Sequence, residues 1–198
     1  MRKNFLWLLL AVNLAALPAL YWLGRPVLFH GVSLSDTEAL PVYGQMPSFQ
    51  LTQQDGKRFG NEQMKGALWI ADFMFTRCPN QCPLMSVQFS ALQKKLPKEA
   101  RLASFTVDPE HDDPQTLKAY AQNYQADPDR WLFLTGDPPV IRRIMNDLHL
   151  GRADDPGMHS LRFVLLDKAL RVRGYYDSTD AGSLSKLAPD IGRLRREK

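Results

Sequence analysis

The chain has 198 residues and a formal net charge of +4, from 25 Lys and Arg against 21 Asp and Glu. Basic residues are interspersed with acids except at the C-terminal end, where Arg193, Arg195, Arg196 and Lys198 suit the negative end of a helix dipole; the charge does not read as a nucleic-acid surface. Setting aside an apolar N-terminal stretch leaves about 175 residues, enough for one domain with a full core.

Met1, Arg2 and Lys3 precede an apolar run over 5–23, interrupted before Tyr21 by the polar Asn13. About twenty such residues cross a bilayer, and the two leading positive charges place the N-terminus inside with the body exported. A cleaved signal peptide is the competing reading, but Ala19 is followed by Leu20, Tyr21, Trp22 and Leu23, a poor cleavage context. The expectation is an uncleaved single-pass anchor in the cytoplasmic membrane over 1–24, a tether over 25–45 and a globular domain over 46–198 on the periplasmic, extracytoplasmic side. There is no internal repeat and no low-complexity segment.

Within the domain, Phe49-Gln50-Leu51-Thr52, the turn pair Asp55-Gly56 and Lys57-Arg58-Phe59 predict a hairpin. The nearly continuous apolar run 68–75 predicts a strand buried on both faces. Pro83 suits a first helical turn, and Met85, Phe89, Leu92 and Leu96 repeat at helical spacing. A strand over 102–107 ends at Asp108-Pro109, and Asp113-Pro114 opens a second helix running to Tyr124. A short strand over 131–134, a helix over 139–150, a hairpin of 161–166 with 172–176 and a helix over 183–198 complete the order. Strands alternating with helices imply a parallel core, and the last hairpin adds an antiparallel pair. The pattern resembles a thioredoxin-like α/β sandwich with an N-terminal hairpin extension and inserted elements.

The two cysteines of the chain, Cys78 and Cys82, follow the central strand in Cys78-Pro79-Asn80-Gln81-Cys82-Pro83. A helical turn places residues four apart on one face, with Cα atoms about 6 Å from each other, close enough for a disulfide or for two thiolates on one soft metal ion. A helix N-terminus favours the thiolate, and Arg77 adds to that. A purely structural staple is the weaker reading, since so short a loop gains roughly 2 kcal/mol against about 3 for fifteen residues. Of the four histidines, His30 lies in the tether, His111 in the polar turn before Pro114, and His149 at a helix end, as a dipole complement. His159 directly precedes the last hairpin. In an open α/β sheet ligands bind at the carboxyl ends of the strands. Cys78 and Asp108 end neighbouring parallel strands there, and an antiparallel strand would begin there, bringing His159 to the cysteines. Two thiolates and an imidazole can hold Cu(I) or Cu(II), whereas zinc generally wants a fourth ligand. In an oxidising compartment the metal-free pair drifts to a disulfide.

Phe73-Met74-Phe75-Thr76-Arg77-Cys78-Pro79-Asn80-Gln81-Cys82-Pro83 closely resembles the F-x-F-T-x-C-P-x-x-C-P signature of the Sco/SenC family of membrane-anchored copper proteins. Thr106-Val107-Asp108-Pro109-Glu110-His111-Asp112-Asp113-Pro114 resembles that family's V-D-P-E-x-D-T-P segment, and Leu134-Thr135-Gly136 and His159-Ser160 follow in order. The resemblance implies a thioredoxin-like fold, a copper ion held by Cys78, Cys82 and His159, and assembly of the dinuclear copper centre of cytochrome c oxidase. Asp108 matches a position near the site, where it would orient or tune the ligands. The implied partners are the copper-bearing oxidase subunit, other copper chaperones or thiol reductants, and the membrane. The chain departs from the pattern at Arg77, where His is frequent, at Asp113 for Thr, at Met158 for an acid and at Ala169 for the hairpin Gly; no ligand is lost. A metallochaperone is thus the leading reading. A thiol–disulfide oxidoreductase using the redox pair Cys78 and Cys82, and a copper or redox sensor, are the alternatives.

Overall fold

The computed structural model describes residues 39–150 and 161–197. The apolar run 5–23, the tether up to residue 38, and His159 lie outside the described residues. Among the described residues no helix is long and apolar enough to cross a membrane.

Eight strands form one sheet in the order β1-β8-β7-β4-β5-β6-β2-β3. At its centre β4 (Leu68–Met74) runs parallel to β5 (Ala100–Thr106), which runs parallel to β6 (Trp131–Thr135). On the far side of β4, β7 (Arg162–Leu166) is antiparallel and pairs with β8 (Arg171–Asp177), which pairs in turn with β1 (Gly44–Gln45). The hairpin of β2 (Gln50–Gln53) and β3 (Arg58–Gly60) extends the other edge, β2 running antiparallel to β6.

Every residue of β4 is buried, as its apolar run predicts for a strand covered on both faces. Alternation divides its side chains. Trp69, Ala71 and Phe73 pack with Phe49, Phe59 and Phe105 and with Ile141, Ile144 and Met145 of α4 (Pro138–Asp147). Leu68, Ile70 and Met74 pack on the opposite face. Their partners there are Cys82, Met85 and Phe89 of α2 (Gln81–Lys95), Leu117 and Tyr120 of α3 (Pro114–Asn123), and Ile191 and Leu194 of α5 (Ala181–Arg196). A one-turn helix, α1 (Asn61–Met64), follows β3 and has no counterpart in the sequence reading.

Three local details differ from the expected pattern. The end of the tether segment belongs to the sheet: Tyr43 N–H donates to the Val172 carbonyl at 2.8 Å, and Met46 N–H to that of Leu170 at 2.9 Å. A two-residue strand held by backbone bonds leaves no alternation to read. Helix α4 ends at Asp147 because His149 turns the chain with a φ of 53°, so His149 lies beyond the helix rather than in its last turn. In the β7–β8 hairpin the left-handed position falls on Leu170 (φ 62°), not on Ala169. Asp167 Oδ1 holds that turn by accepting from the N–H groups of Ala169 and Arg171, each at 2.9 Å.

Candidate metal centre

The chain leaves β4 at Met74 and crosses a short turn, in which Cys78 N–H donates to the Phe75 carbonyl at 3.3 Å. It enters α2 at Gln81, so Cys82 sits in the first helical turn and Cys78 just before it. Both cysteines are thiols. Their environments differ sharply: Cys82 is 0% exposed among Met74, Met85 and Phe89, while Cys78 is partly open. Asn80, at the helix N-cap, makes no side-chain cap, which leaves first-turn N–H groups for another acceptor. Burial opposes the thiolate at Cys78, yet the N–H groups of Cys82, Asn80 and Gln81 and the Cys82 thiol outweigh it and hold the Cys78 pKa below its ordinary value. Burial pushes the Cys82 thiol far up, and its hydrogen bond to Cys78 and the nearby Asp72 carboxyl add to that. The pair is therefore one accessible, readily ionised sulfur backed by one buried, protonated sulfur.

Asp112 ties this turn to the neighbouring strand. Its buried carboxylate accepts from Thr76 N–H at 3.1 Å, from the Thr76 hydroxyl and from the Thr106 hydroxyl. Val107 N–H completes the link by donating to the Met74 carbonyl at 2.8 Å. Asp108 stands on the same rim, as the parallel pairing of Met74 with Thr106 requires. Its carboxylate accepts from Arg77 Nη2 at 2.9 Å and pairs with His111 Nδ1 at 2.7 Å. Partial burial would raise its pKa, but His111 and Arg77 prevail and hold it below the usual carboxylate range. The contacts of Asp108 thus run to Arg77, peptide-bonded to Cys78, and to His111.

His159 lies outside the described residues. The strand that follows it does start at this rim, since Ala71 pairs with Val164 and the antiparallel register continued puts Arg162 level with Phe73. Among the described residues no three His, Cys, Asp or Glu side chains come together as a metal-binding group.

Beneath the site, Asp72 is buried with neither carboxylate oxygen in a hydrogen bond. It lies opposite Ser104 in the β4–β5 register and shares the Cys82 face of the sheet. Burial pushes its pKa up to about 7, with the Ser104 hydroxyl working weakly the other way. The sequence reading missed Asp72 and Asp112. A single carboxylate inside an otherwise apolar strand was the available signal for the first; for the second it was the match of Asp112 to the second Asp of the V-D-P-E-x-D-T-P segment.

The SCO1/SenC family model matches residues 40–194. A SCO1 protein homolog of Bacillus subtilis is 46% identical over 99 residues, 48% of this chain and 51% of that protein. A Stutzerimonas stutzeri protein named for copper binding is 32% identical over 160 residues, covering 79% of this chain and 70% of its own. Among solved structures, BsSco superposes with a TM-score of 0.72 at 30% identity, covering 81% of this chain and 100% of that one. It is a member of the Sco family of cytochrome c oxidase assembly proteins in which a disulfide switch was identified. The sheet with its paired thiols at the start of α2, and the family match over residues 40–194, lead to one assignment: the chain belongs to the SCO1/SenC family and has its thioredoxin-like α/β fold.

Proposed function

We propose that the chain is a copper metallochaperone that binds one copper ion through Cys78, Cys82 and His159 and assists assembly of the dinuclear copper site of cytochrome c oxidase. The observation that carries this reading is the thiol pair, two sulfurs in mutual hydrogen-bond reach at a helix start, one disposed to the thiolate. Thiolates suit Cu(I), and an added imidazole widens the set toward Cu(II). The family match, the relative named for copper binding and the kinship with an oxidase assembly protein support it. The run 5–23 anchors the domain on the periplasmic face of the cytoplasmic membrane, near a membrane-bound client.

In this reading Cys78 offers the first thiolate at the rim. Cys82 gives up its proton to supply the second, and His159 completes a three-coordinate set. Delivery proceeds by ligand exchange with the client's own ligands, His159 leaving first. The test is copper titration of the reduced full chain under anaerobic conditions, alongside His159→Ala and Cys82→Ser. One tightly held copper per chain, spectrally altered in His159→Ala and lost in Cys82→Ser, is expected. Unchanged stoichiometry and spectrum in His159→Ala would remove the histidine from the set.

The unequal thiols favour a second reading, a thiol–disulfide oxidoreductase that reduces the client's cysteines. The Cys78 thiolate attacks a client disulfide sulfur and releases one client thiolate. The Cys82 sulfur then displaces the second client thiolate, leaving a Cys78–Cys82 disulfide, so two electrons pass to the client. A reduction potential above that of the client disulfide would rule it out.

A further inference from the structure

We propose that the outer face of α2 is the docking surface for the protein that meets Cys78, and that it takes an acidic amphipathic segment of that partner. The inference rests on the reading that Cys78 acts on a partner protein, which the copper and thiol-exchange accounts share.

The face is apolar where a solvated helix is polar. Cys82, Met85 and Phe89 are buried in the core, so the opposite side should carry polar side chains. Instead Leu84, Val87 and Ala91 follow Asn80 in one exposed row at helical spacing, with Leu84 61% and Val87 58% exposed. The row starts at the reactive sulfur. Cys78 accepts from the N–H groups of Asn80 and Gln81, so its thiol sits over the helix end at which the row begins.

Further along, Val87 and Ala91 form one wall of a groove of about 470 Å³, and Asn123 and Tyr124 at the end of α3 form the other. The groove is preformed. Gln93 donates to the Gln125 carbonyl at 2.8 Å and accepts from Asp127 N–H at 3.0 Å, which pins the end of α3 against α2. Charge selects the occupant. Lys94 and Lys95 line the far end, no lining residue is acidic, and α2 holds no Asp or Glu. Among the described residues neither lysine has an ion pair. From Leu84 to Lys94 the helix rises about 15 Å. The segment that fits therefore places apolar side chains beside its reacting group and carboxylates about three helical turns beyond. A second copy of this chain would bring the same face, with no carboxylate to meet the lysines.

The experiment uses the full chain in detergent with Cys82→Ser, so that the reaction stops at a mixed disulfide. The probes are helical peptides of about fourteen residues, about 20 Å long, each with one cysteine activated as an aryl disulfide. The Cys78 thiolate attacks the peptide sulfur, and the departing aryl thiolate reports the rate. A peptide with leucines beside the cysteine and glutamates at its far end should react about tenfold faster than its lysine-for-glutamate and serine-for-leucine counterparts. Leu84→Ser/Val87→Ser should remove that advantage, and Lys94→Glu/Lys95→Glu should transfer it to the lysine peptide. Rates indifferent to peptide charge and to these substitutions would overturn the proposal. A dimer that dissociates in Leu84→Ser/Val87→Ser would assign the face to a second copy, and peptide binding abolished in phosphatidylglycerol nanodiscs would assign it to lipid; either result overturns it. If Cys78 fails to react even with a small aryl disulfide, the shared reading of a partner-facing thiolate falls instead. Fluorescence anisotropy of the labelled leucine–glutamate peptide without its cysteine then still decides the groove: binding should weaken about tenfold in Leu84→Ser/Val87→Ser, and unchanged binding refutes it.

Discussion

Substituting Asp112 should loosen the cysteine turn and the fold together, by amounts the hydrogen bonds define. The carboxylate is 0% exposed and accepts from Thr76 N–H, the Thr76 hydroxyl and the Thr106 hydroxyl. A hydrogen bond to a charged group contributes roughly 1.5–3 kcal/mol, and an abandoned buried donor adds its own cost. The three bonds share one side chain, so their losses do not sum. Asp112→Ala should therefore cost about 3–4 kcal/mol, a large share of a typical domain's 5–15 kcal/mol. Asp112→Asn keeps one acceptor oxygen but turns an NH2 toward a donor, for about 1–2 kcal/mol. Urea unfolding followed through the buried Trp69 and Trp131 gives the energies. Iodoacetamide modification of Cys78 against pH gives the second readout: as Thr76 is released, fewer N–H groups converge on the sulfur and the profile moves to higher pH. If Asp112→Asn changes stability by less than about 0.5 kcal/mol, the range of ordinary surface substitutions, and leaves the alkylation profile in place, the tie does not position the cysteines.

Three further outcomes follow from burial and charge. In the reduced chain, iodoacetamide should modify Cys78 well before Cys82, and Cys82 should react only on unfolding; comparable rates for the two would contradict their unequal environments. Asp72→Asn should stabilise the fold in a pH-dependent way. A carboxyl whose folded pKa, about 7, lies above its unfolded value penalises folding as it ionises, so the penalty is absent below about pH 4 and complete above about pH 7. The variant should match the parent at pH 4 and exceed it by roughly 4 kcal/mol above neutrality; parallel pH–stability curves would show that Asp72 is not penalised. Arg173, 2% exposed, bridges Asp167 and Glu197 and donates to the carbonyls of Leu40 and Pro41. Arg173→Ala takes one guanidinium from the buried Asp167, which keeps Arg171 Nε at 2.7 Å and the N–H groups of Ala169 and Arg171. It also leaves Glu197 and the carbonyls of Leu40 and Pro41 without this donor. The substitution should cost about 2–3 kcal/mol in urea unfolding, whereas a cost under about 1 kcal/mol would mark the bridge as weak.

The parts of the fold that were legible in the sequence are those set by apolar periodicity. β4 was visible because the nearly continuous apolar run 68–75 reads as a strand covered on both faces, and α2 because Met85 and Phe89 recur on one face. The rim shared by Cys78 and Asp108 followed from strand order alone, because parallel neighbours end on the same side. Charges buried by their partners were not legible. Strand alternation gives no reason to place Arg173 inside; two carboxylates and two carbonyls from distant segments put it there. Asp112 likewise differs from its exposed neighbours Glu110 and Asp113 through Thr76 and Thr106, contacts made only once β4 and β5 pair. Position in a pattern is local information, whereas satisfaction of a buried charge is not.

The two proposed chemistries use the same sulfurs but different numbers of protons, and this separates them. Thiol exchange needs the Cys78 thiolate alone, so its rate should rise with pH and level off once Cys78 has ionised. Copper binding needs both thiolates, and burial keeps Cys82 protonated far beyond that point. Between the two pKa values each bound ion must release one proton from Cys82, so affinity should climb by about tenfold per pH unit where the exchange rate is already flat. The measurement is a pair of profiles on one preparation: anaerobic Cu(I) competition against a chelator of known pH dependence, and exchange with a small aromatic disulfide. A flat copper profile over that window would mean that Cys82 does not ionise on binding, and the ion would then rest on Cys78 and an imidazole. Two released protons would mean that Cys78 is not the ready thiolate its N–H contacts imply. A slope of one beside a level exchange rate would assign the accessible sulfur to partner chemistry and the buried sulfur to holding the metal.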